Sequence, residues 1–117
     1  MDKSLIDILR DTGLSDKEAL VYMTNLQLGQ APVSTIARHM HENRVTVYSI
    51  LKNLIAKGLA KSATKKNTTY YSVIEPEKLA KKAVEKAQRL ESIVPQLMAM
   101  ATKIDTPVKT QFFEGLE

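Results

Sequence analysis

Apolar and polar residues alternate at helical spacing between Asn43 and Gly58. The apolar stripe consists of Val47, Ile50, Leu51, Leu54 and Ile55. The opposite face carries hydrogen-bond donors and no carboxylate, and it consists of Arg44, Val45, Tyr48, Ser49 and Lys52. This pattern predicts one helix with a single buried face. Asn43 suits the N-cap of this helix, and Gly58 suits the left-handed position after its end.

Two helices are predicted near the start of the chain. Leu5, Ile8 and Leu9 give residues 4–10 an apolar side, and Thr12-Gly13 ends that helix. Ser15 and Glu18 match a capping box, which opens a second helix that Gly29 closes. The predicted buried stripe of the second helix consists of Ala19, Tyr22, Met23 and Leu26.

A third short helix is predicted over residues 33–40. Its inward residues are Val33, Ile36, Ala37 and Met40, and Ser34 or Thr35 is expected to cap it. Gln30 to Pro32 form the preceding connection. His41-Glu42 then turns the chain into the helix that begins after Asn43. Helix, tight turn and helix make a helix-turn-helix, whose second helix enters the major groove of DNA.

A β-hairpin is predicted after Gly58. Residues 59–64 and 69–74 are two short β-prone segments, and the intervening Lys65-Lys66-Asn67-Thr68 gives the hairpin a basic tip. Tyr71 and Val73 lie on one face and are expected to pack against the helices.

From Pro76 to about residue 104 the spacing of apolar residues approaches the repeat of a coiled coil. The predicted seam consists of Leu79, Ala83, Ala87, Leu90, Val94, Leu97, Ala101 and Ile104. We expect a second copy of the chain to cover it, which predicts a homodimer; the alternative is that the helix folds back on its own domain. Pro95 predicts a kink near Glu91 or a break into two helices.

Composition limits the size and class of the protein. The chain has 117 residues, of which 44% are hydrophobic and 26% charged, so we expect one small domain with an appendage. No segment approaches the ~20 apolar residues of a membrane span, and the N-terminus lacks a signal peptide pattern. We therefore expect a cytoplasmic protein without membrane contact. The absence of cysteine excludes disulfides and cysteine metal sites.

Positive charge is concentrated in residues 43–74. This segment has six cations and no Asp or Glu; the cations are Arg44, Lys52, Lys57, Lys61, Lys65 and Lys66. A charge run alone is more often a solvated surface, but these cations lie on the predicted second helix and hairpin. Lys and Arg in such positions gain by displacing the counterions of DNA phosphates. The distribution favours a nucleic-acid interface.

Catalytic and metal-binding patterns are missing from the sequence. Ser34 and Ser49 have no companion His and Asp arrangement, and there is no Gly-rich phosphate loop. His39 and His41 point in different directions at a helix end and have no matching ligand cluster. We therefore expect no enzyme activity, no cofactor and no metal. Residues 105–117 are too few to enclose a small-molecule site, so we expect no such ligand for the chain as it stands.

Several short motifs together resemble the winged-helix domain of TrmB-type transcriptional regulators. They are Leu14-Ser15 with Glu18-Ala19 and Tyr22, Val33-Ser34 with Ile36-Ala37, Arg44 with Thr46-Val47-Tyr48, Leu54 with Lys57-Gly58-Leu59, and then Tyr71 and Pro76. Phe112 to Glu117 are similar to the segment where such proteins enter an effector-sensing domain. The resemblance implies a winged helix that binds double-stranded DNA.

The sequence departs from the family pattern at three places. His41-Glu42 occupies a turn that often has a Gly and an apolar residue, which leaves the geometry of the turn open. Ser49 stands where a basic side chain is frequent, which weakens a phosphate contact there. Glu75 precedes Pro76 where a second proline is common.

The sequence predicts a mainly α fold with a small β-hairpin (α+β): a winged helix-turn-helix followed by a long C-terminal dimerisation helix. Residues 1–75 form the DNA-binding domain and residues 76–104 the dimerisation helix. Residues 105–117 are a tail or the start of an effector domain. The predicted function is sequence-specific, homodimeric transcription regulation, with helix 43–57 in the major groove and wing 59–74 on the flanking backbone or minor groove. The alternative is a protein-interaction module within a transcription assembly.

Ten residues are predicted to contact DNA. They are Ser34, Thr35, Asn43, Arg44, Thr46, Tyr48, Ser49, Lys52, Lys65 and Lys66. Arg44 is the best candidate for bidentate recognition of guanine, although a phosphate contact is nearly as well supported. Ser34 and Thr35 are expected to bind a phosphate at the start of their helix. Lys65 and Lys66 are expected to position the protein on the DNA.

Overall fold

The computed structural model describes the backbone of residues 3–105 and the side chains of residues 5–101. Contacts divide the chain into two compact units, with the boundary between Leu79 and Ala80. In the described residues, the first unit holds four helices, a small sheet and the start of a fifth helix. The second unit holds the rest of the fifth helix and a sixth.

The first helix is one residue longer at each end than predicted, and the second has the predicted caps. α1 spans Lys3–Asp11, and a turn at Thr12-Gly13 leads to α2, which spans Asp16–Leu28. The capping box is present, because the Ser15 hydroxyl accepts from the Glu18 amide and the Glu18 carboxylate accepts from the Ser15 amide. Gly29 follows α2 with a φ of 76°, a backbone conformation that favours glycine.

The buried face of α2 differs from the predicted stripe. Ala19 and Tyr22 are buried as expected, but Met23 is half-buried and Leu26 is exposed. The buried positions missed were Glu18, Val21 and Asn25. Asn25 is tolerated there because its Nδ2 donates to the carbonyls of Gly29 and Tyr71, at 2.9 and 3.1 Å. The buried face of α2 therefore includes polar residues that have hydrogen-bond partners elsewhere in the fold, and it differs from the face predicted from apolar residues alone.

The connection before the third helix is a short strand that was not predicted. β1 spans Ala31–Pro32 and pairs antiparallel with residues 70 and 71, which belong to the last strand along the chain. α3 follows over Val33–Met40, with the predicted bounds. The expected cap at Ser34 or Thr35 is wrong, because the N-cap residue is Pro32 and no side chain caps the helix. Ser34 and Thr35 lie instead in the first turn of α3, half-buried.

The predicted apolar stripe of the following helix is buried. α4 spans Arg44–Ala56, and Val47, Ile50, Leu51 and Leu54 are buried while Ile55 is partly buried against the core. His41 makes the turn between α3 and α4 in the left-handed conformation, with a φ of 55°. The turn therefore forms without the glycine frequent in this position.

Two strands and β1 form an antiparallel sheet in the order β1-β3-β2. β2 spans Ala60–Lys65 and β3 spans Thr68–Val73, with Ala60 opposite Val73 and Lys65 opposite Thr68. Lys66 and Asn67 both have positive φ, at 49° and 67°. They form a two-residue hairpin turn whose backbone twist matches that of the strands. The hairpin was predicted, and the third strand was not.

One core holds these elements together in the first unit. Its buried members come from α2, α3, α4, the sheet and two loop residues, Leu14 and Leu59. The largest fully buried apolar side chains are Ile36, Leu51, Leu54, Val21 and Val47. Tyr71 is buried and Val73 packs against the core, as the alternation along β3 predicted. The Tyr22 hydroxyl donates to the Ile74 carbonyl at 2.9 Å, which ties α2 to the end of β3.

The last helical segment is two helices. α5 spans Pro76–Ser92 and α6 spans Val94–Asp105, with Ile93 between them. The break is one of the two outcomes that Pro95 predicted, since proline has no amide to donate to the carbonyl of Glu91. Ile93 donates to the Leu90 carbonyl at 3.1 Å, which marks a tighter turn at the break. Two helices, α5 and α6, therefore occupy the residues 76–104 that were predicted as one long helix.

The predicted seam residues are distributed over both helices. Leu79 packs against the core of the first unit and Ala83 is half-buried. Ala87, Leu90, Val94, Leu97 and Ala101 are exposed. The side chain of Ile104 and the segment 106–117, with its predicted tail or effector-domain start, lie outside the described residues.

Candidate nucleic-acid interface

Asn43 sets the start of α4. Its side-chain Oδ1 accepts hydrogen bonds from the amides of Val45 and Thr46, at 2.7 and 3.3 Å. The cap holds two amides that a helix start would otherwise leave without a partner. Asn43 was also predicted to contact DNA. Its side-chain oxygen is used in the cap, and the residue is exposed.

The outward face of α4 is exposed along three turns. Arg44, Val45, Tyr48, Ser49 and Lys52 are all exposed, and Thr46 is half-buried. Lys52 Nζ lies 5.6 Å from the centroid of the Tyr48 ring, which is within the range of a cation–π interaction. The face therefore offers cations, hydroxyls and an aromatic ring to a partner, with the opposite face held in the core.

Lys57 ties the end of α4 to the start of α2. Its Nζ donates to Glu18 Oε1 at 2.8 Å and approaches the Gly13 carbonyl at 3.4 Å. Burial acts to raise the pKa of the Glu18 carboxyl. Hydrogen bonds from Lys57 and the Ser15 amide, with the charge of Lys57, outweigh burial, so the pKa lies below its ordinary value of 4.5. Lys57 therefore pairs within the fold, although it is one of the six cations of the predicted nucleic-acid interface.

An open groove runs between the start of α2 and the outward side of α4. It has a volume of about 730 Å³ and is lined by Ser15, Asp16, Lys17, Val45, Thr46, Ser49 and Ile50. Both charged residues of α2 in this groove have partners: Asp16 pairs with Arg10 at 3.0 Å and Lys17 with Glu42 at 3.5 Å. The charged groups on the α2 side are therefore already paired, and the α4 side of the groove presents hydroxyls and apolar atoms.

The start of α3 presents a different kind of surface. No side chain caps this helix, and Ser34 and Thr35 occupy its second and third positions. A helix start with free amides attracts anions, and hydroxyls next to it add further donors. The arrangement is chemically suited to a phosphate.

The two lysines of the hairpin tip have different environments. Lys65 Nζ donates to Gln30 Oε1 at 3.2 Å and lies 5.8 Å from the centroid of the Tyr70 ring. Lys66 lies in the turn itself and is exposed. Among residues 5–101, whose side chains the structure describes, neither Arg44 nor Lys66 has a side-chain partner. These two cations are free to bind an external anion.

The predicted contact residues fall into three groups within the first unit. Asn43, Arg44, Thr46, Tyr48, Ser49 and Lys52 share the start and outward face of α4; Ser34 and Thr35 lie on α3; Lys65 and Lys66 lie at the hairpin tip. The structure adds Ser15, Asp16 and Lys17 next to the first group. They lie about thirty positions earlier in the sequence, and only the packing of α2 against α4 brings them close.

The two histidines are exposed. His39 Nδ1 lies 3.2 Å from the Thr35 carbonyl, and His41 forms the turn after α3. Over the described part of the chain, no cluster of three or more metal-ligating side chains is present. The helices within that part are also too short or too polar to cross a membrane.

The fold defines the class of this protein. A helix-turn-helix formed by α3 and α4, followed by an antiparallel hairpin, is a winged helix-turn-helix. Residues 9–77 match the family described as the sugar-specific transcriptional regulator TrmB. The match covers more than half of the 117 residues, and the chain therefore belongs to the TrmB family of transcriptional regulators.

Solved structures share the architecture. The ST1889 protein from the thermoacidophilic archaeon Sulfolobus tokodaii is 26% identical, with a TM-score of 0.63 over 76% of this chain and 93% of that one. TrmBL2, an archaeal chromatin protein, is 18% identical, with a TM-score of 0.72 over 97% of this chain and 45% of that one. A MarR family protein from Bacillus stearothermophilus is 15% identical, with a TM-score of 0.56 over 86% of this chain and 76% of that one.

The three solved structures differ in the share of their length that this chain covers and in their sequence identity to it. This chain spans less than half of TrmBL2, whose structure shows a novel mode of DNA binding for that protein. At 18% and 15% identity, TrmBL2 and the MarR family protein show the fold alone. No curated protein matches the chain significantly. Membership of the family therefore rests on the match over residues 9–77.

Proposed function

We propose that this chain is a sequence-specific DNA-binding transcriptional regulator that acts as a homodimer. In the proposal, α4 enters the major groove, the β2–β3 hairpin contacts the flanking backbone or minor groove, and the start of α3 binds a phosphate. The family and the winged-helix fold support the general function. The particular contacts are inferred from the surfaces of α4, the hairpin tip and the start of α3.

The observation that carries the proposal is the division of α4 into two faces. Four of its residues are buried in the core, while the face with Arg44, Ser49 and Lys52 is exposed and lacks carboxylates. In a helix-turn-helix, residues near the start of the second helix contact base edges. Arg44 is the first residue of α4, and a guanidinium can bind guanine O6 and N7 bidentately. We therefore assign it the main role in base recognition.

The hairpin lysines have positioning roles in the proposal. Contacts with phosphates add affinity for any DNA and make it depend on salt, because each neutralised phosphate releases counterions. Lys66 is free for such a contact, whereas Lys65 must exchange its hydrogen bond to Gln30 for one to DNA. We expect Lys66 to contribute more of the salt dependence than Lys65.

Dimerisation through α5 and α6 would place two α4 helices on two half-sites. Exposed apolar residues at coiled-coil spacing support this part, above all Leu90, Val94 and Leu97. Half-sites are then expected one or two turns of DNA apart, at roughly 10 or 20 bp. The protein is expected to act in the cytoplasm, on the nucleoid. We expect this role to require no cofactor and no enzyme activity.

The proposal is tested with Arg44→Ala and with the double variant Lys65→Ala, Lys66→Ala. Binding is measured by fluorescence anisotropy at several salt concentrations, on a duplex selected from a random library and on a shuffled duplex. Arg44→Ala should cost about 1–3 kcal/mol on the selected duplex and relax the sequence preference. The lysine variant should weaken binding to both duplexes and reduce the slope of log K against log salt by about one to two.

Two results would contradict parts of the proposal. If Arg44→Ala weakens binding to both duplexes equally, Arg44 contacts a phosphate and does not read a base. If the unaltered chain enriches no duplex from the library and binds no random-sequence duplex at any salt concentration, the protein-interaction alternative replaces DNA binding.

A further inference from the structure

Val45 is the most exposed of the large hydrophobic side chains in the described residues. It is 75% exposed, compared with 45% for Tyr48 on the same helix face. Valine favours helices less than alanine does, so helix stability does not explain it at this position. Its side chain is also absent from the core cluster of the first unit. An apolar side chain therefore stands on the surface that the proposed function assigns to DNA.

The direction of the Val45 side chain is held by its backbone. Val45 is the second residue of α4, and its amide donates to Asn43 Oδ1 at 2.7 Å. A β-branched side chain in a helix has one strongly preferred rotamer. Its two methyl groups are thus fixed in direction before any partner binds, and little conformational entropy is lost on contact.

The surroundings of Val45 favour an apolar contact on DNA. Val45, Thr46, Ser49 and Ile50 form the α4 side of the groove next to the start of α2. The charged residues on the other side, Asp16 and Lys17, pair with Arg10 and Glu42. Among the edges of the four bases in the major groove, thymine has an apolar group, its C5 methyl.

We propose that Val45 reads a thymine by packing its methyl groups against the C5 methyl of that base. This inference rests on the proposed function, since it requires α4 to lie in the major groove. It divides sequence recognition within the first turn of α4: Arg44 selects guanine by hydrogen bonds and Val45 selects thymine by an apolar contact. A site bound by the chain then contains a thymine in each half-site that cannot lose its methyl group without loss of affinity.

The test uses a duplex selected by the unaltered chain from a random-sequence library. Each thymidine in turn is replaced by deoxyuridine, which pairs identically and lacks only the C5 methyl group. We expect one position in each half-site where uracil weakens binding about fourfold, the value for one buried methyl group. Val45→Ala should bind the thymine and uracil duplexes equally. Replacing the same T·A pair by C·G should weaken binding, and 5-methylcytosine at that position should restore part of it.

The matched control is Val84→Ala. Val84 is an exposed valine on α5, outside the DNA-contact set, and its variant should keep the uracil sensitivity of the unaltered chain. Val45→Ala is expected to fold, because alanine favours helix and the lost side chain is exposed; circular dichroism checks this.

The outcomes separate this inference from the proposed function. If the unaltered chain selects a site but no uracil replacement weakens binding, the inference is wrong and the proposed function stands. The inference is also wrong if Val45→Ala keeps the full preference for thymine over uracil. If the unaltered chain enriches no site at all, the proposed function fails and the thymine contact with it.

Discussion

α4 and the α5–α6 pair both have apolar residues at helical spacing, yet they use them differently. α4 packs against α2, α3 and β2, and four of its residues are buried. In the described structure α5 has no buried residue, and Leu90 and Leu97 are 59% and 46% exposed. The apolar face of α4 is therefore covered by other elements of the same chain, whereas the apolar residues of α5 and α6 are exposed.

The difference shows that periodicity identifies an apolar face without identifying what covers it. Burial of a face depends on which elements the chain folds next to it, and this is a tertiary property. An exposed apolar surface costs free energy in water and gains by association. The comparison therefore leads to separate expectations for the two apolar faces: substitutions in the buried stripe of α4 act on folding, and substitutions in the exposed apolar residues of α5–α6 act on assembly.

The largest expected effect concerns assembly. Leu90→Lys with Leu97→Lys places like charges on the proposed seam and should convert a dimer to a monomer. Affinity for a two-half-site duplex should fall by about 10²–10⁴-fold, because the second half-site is no longer bound at high effective concentration. Light scattering and DNA titration measure the two effects. Val84→Lys with Met100→Lys adds the same charge at exposed positions outside the seam and should retain the dimer.

The dimer expectation has a clear opposite outcome. If the unaltered chain scatters as a monomer at concentrations that saturate its DNA site, α5 and α6 are not the interface and the two-half-site arrangement is wrong. If the double lysine variant remains a dimer, the interface lies elsewhere in the chain.

The next effect compares one leucine from each region. Leu51 is fully buried, so Leu51→Ala should lower the free energy of unfolding by about 2–5 kcal/mol through lost burial and a cavity. Leu90→Ala, at an exposed position, should change it by less than about 0.5 kcal/mol in dilute solution. Urea titrations followed by circular dichroism measure both. Equal losses for the two variants would contradict the contrast between the regions.

The smallest effect concerns the ion pair that anchors α4. Glu18→Gln removes the charge opposite Lys57 and should cost about 1–2 kcal/mol at neutral pH, since Lys57 is partly exposed. The folded-state pKa of Glu18 is lowered, so its contribution is present above the ordinary value of 4.5 and is lost as the pH falls through the folded pKa. The difference between Glu18→Gln and the unaltered chain should therefore vanish in acid.

A matched control separates this pair from surface pairs. Asp16→Asn removes an exposed ion pair with Arg10 and should have a smaller effect at neutral pH. Urea unfolding at neutral and acidic pH gives both comparisons. A Glu18→Gln penalty that stays constant in acid would show that the charge of Glu18 is not its cause.

Much of the fold could be predicted because its strongest features are local. The Asn43 cap, the capping box of α2, the bounds of α3 and the stripe of α4 depend on residues within one or two helical turns. The break near Pro95 was also foreseen as one of two outcomes. The short strand β1 was missed because two residues have no periodicity, and their partners Tyr71 and Tyr70 lie 40 and 38 positions further along the chain.

The candidate site was predicted less completely than the helix that carries it. The outward residues of α4 follow from its own periodicity. The use of Lys57 inside the fold does not, because its partner Glu18 lies 39 positions earlier. The groove beside Val45 likewise depends on where α2 begins relative to α4. These features require long-range packing, which a single sequence pattern does not encode.

The sequence by itself determined the helices of the first unit, the hairpin, the separation of charge and the resemblance to a family that residues 9–77 confirm. These features arise from hydrogen bonds and side-chain spacing within short segments. Only the tertiary structure decided which face of α2 is buried, which lysine forms an ion pair with Glu18 and which valine is exposed at the start of α4. The physical reason is that burial and ion pairing depend on distances between elements far apart in the chain.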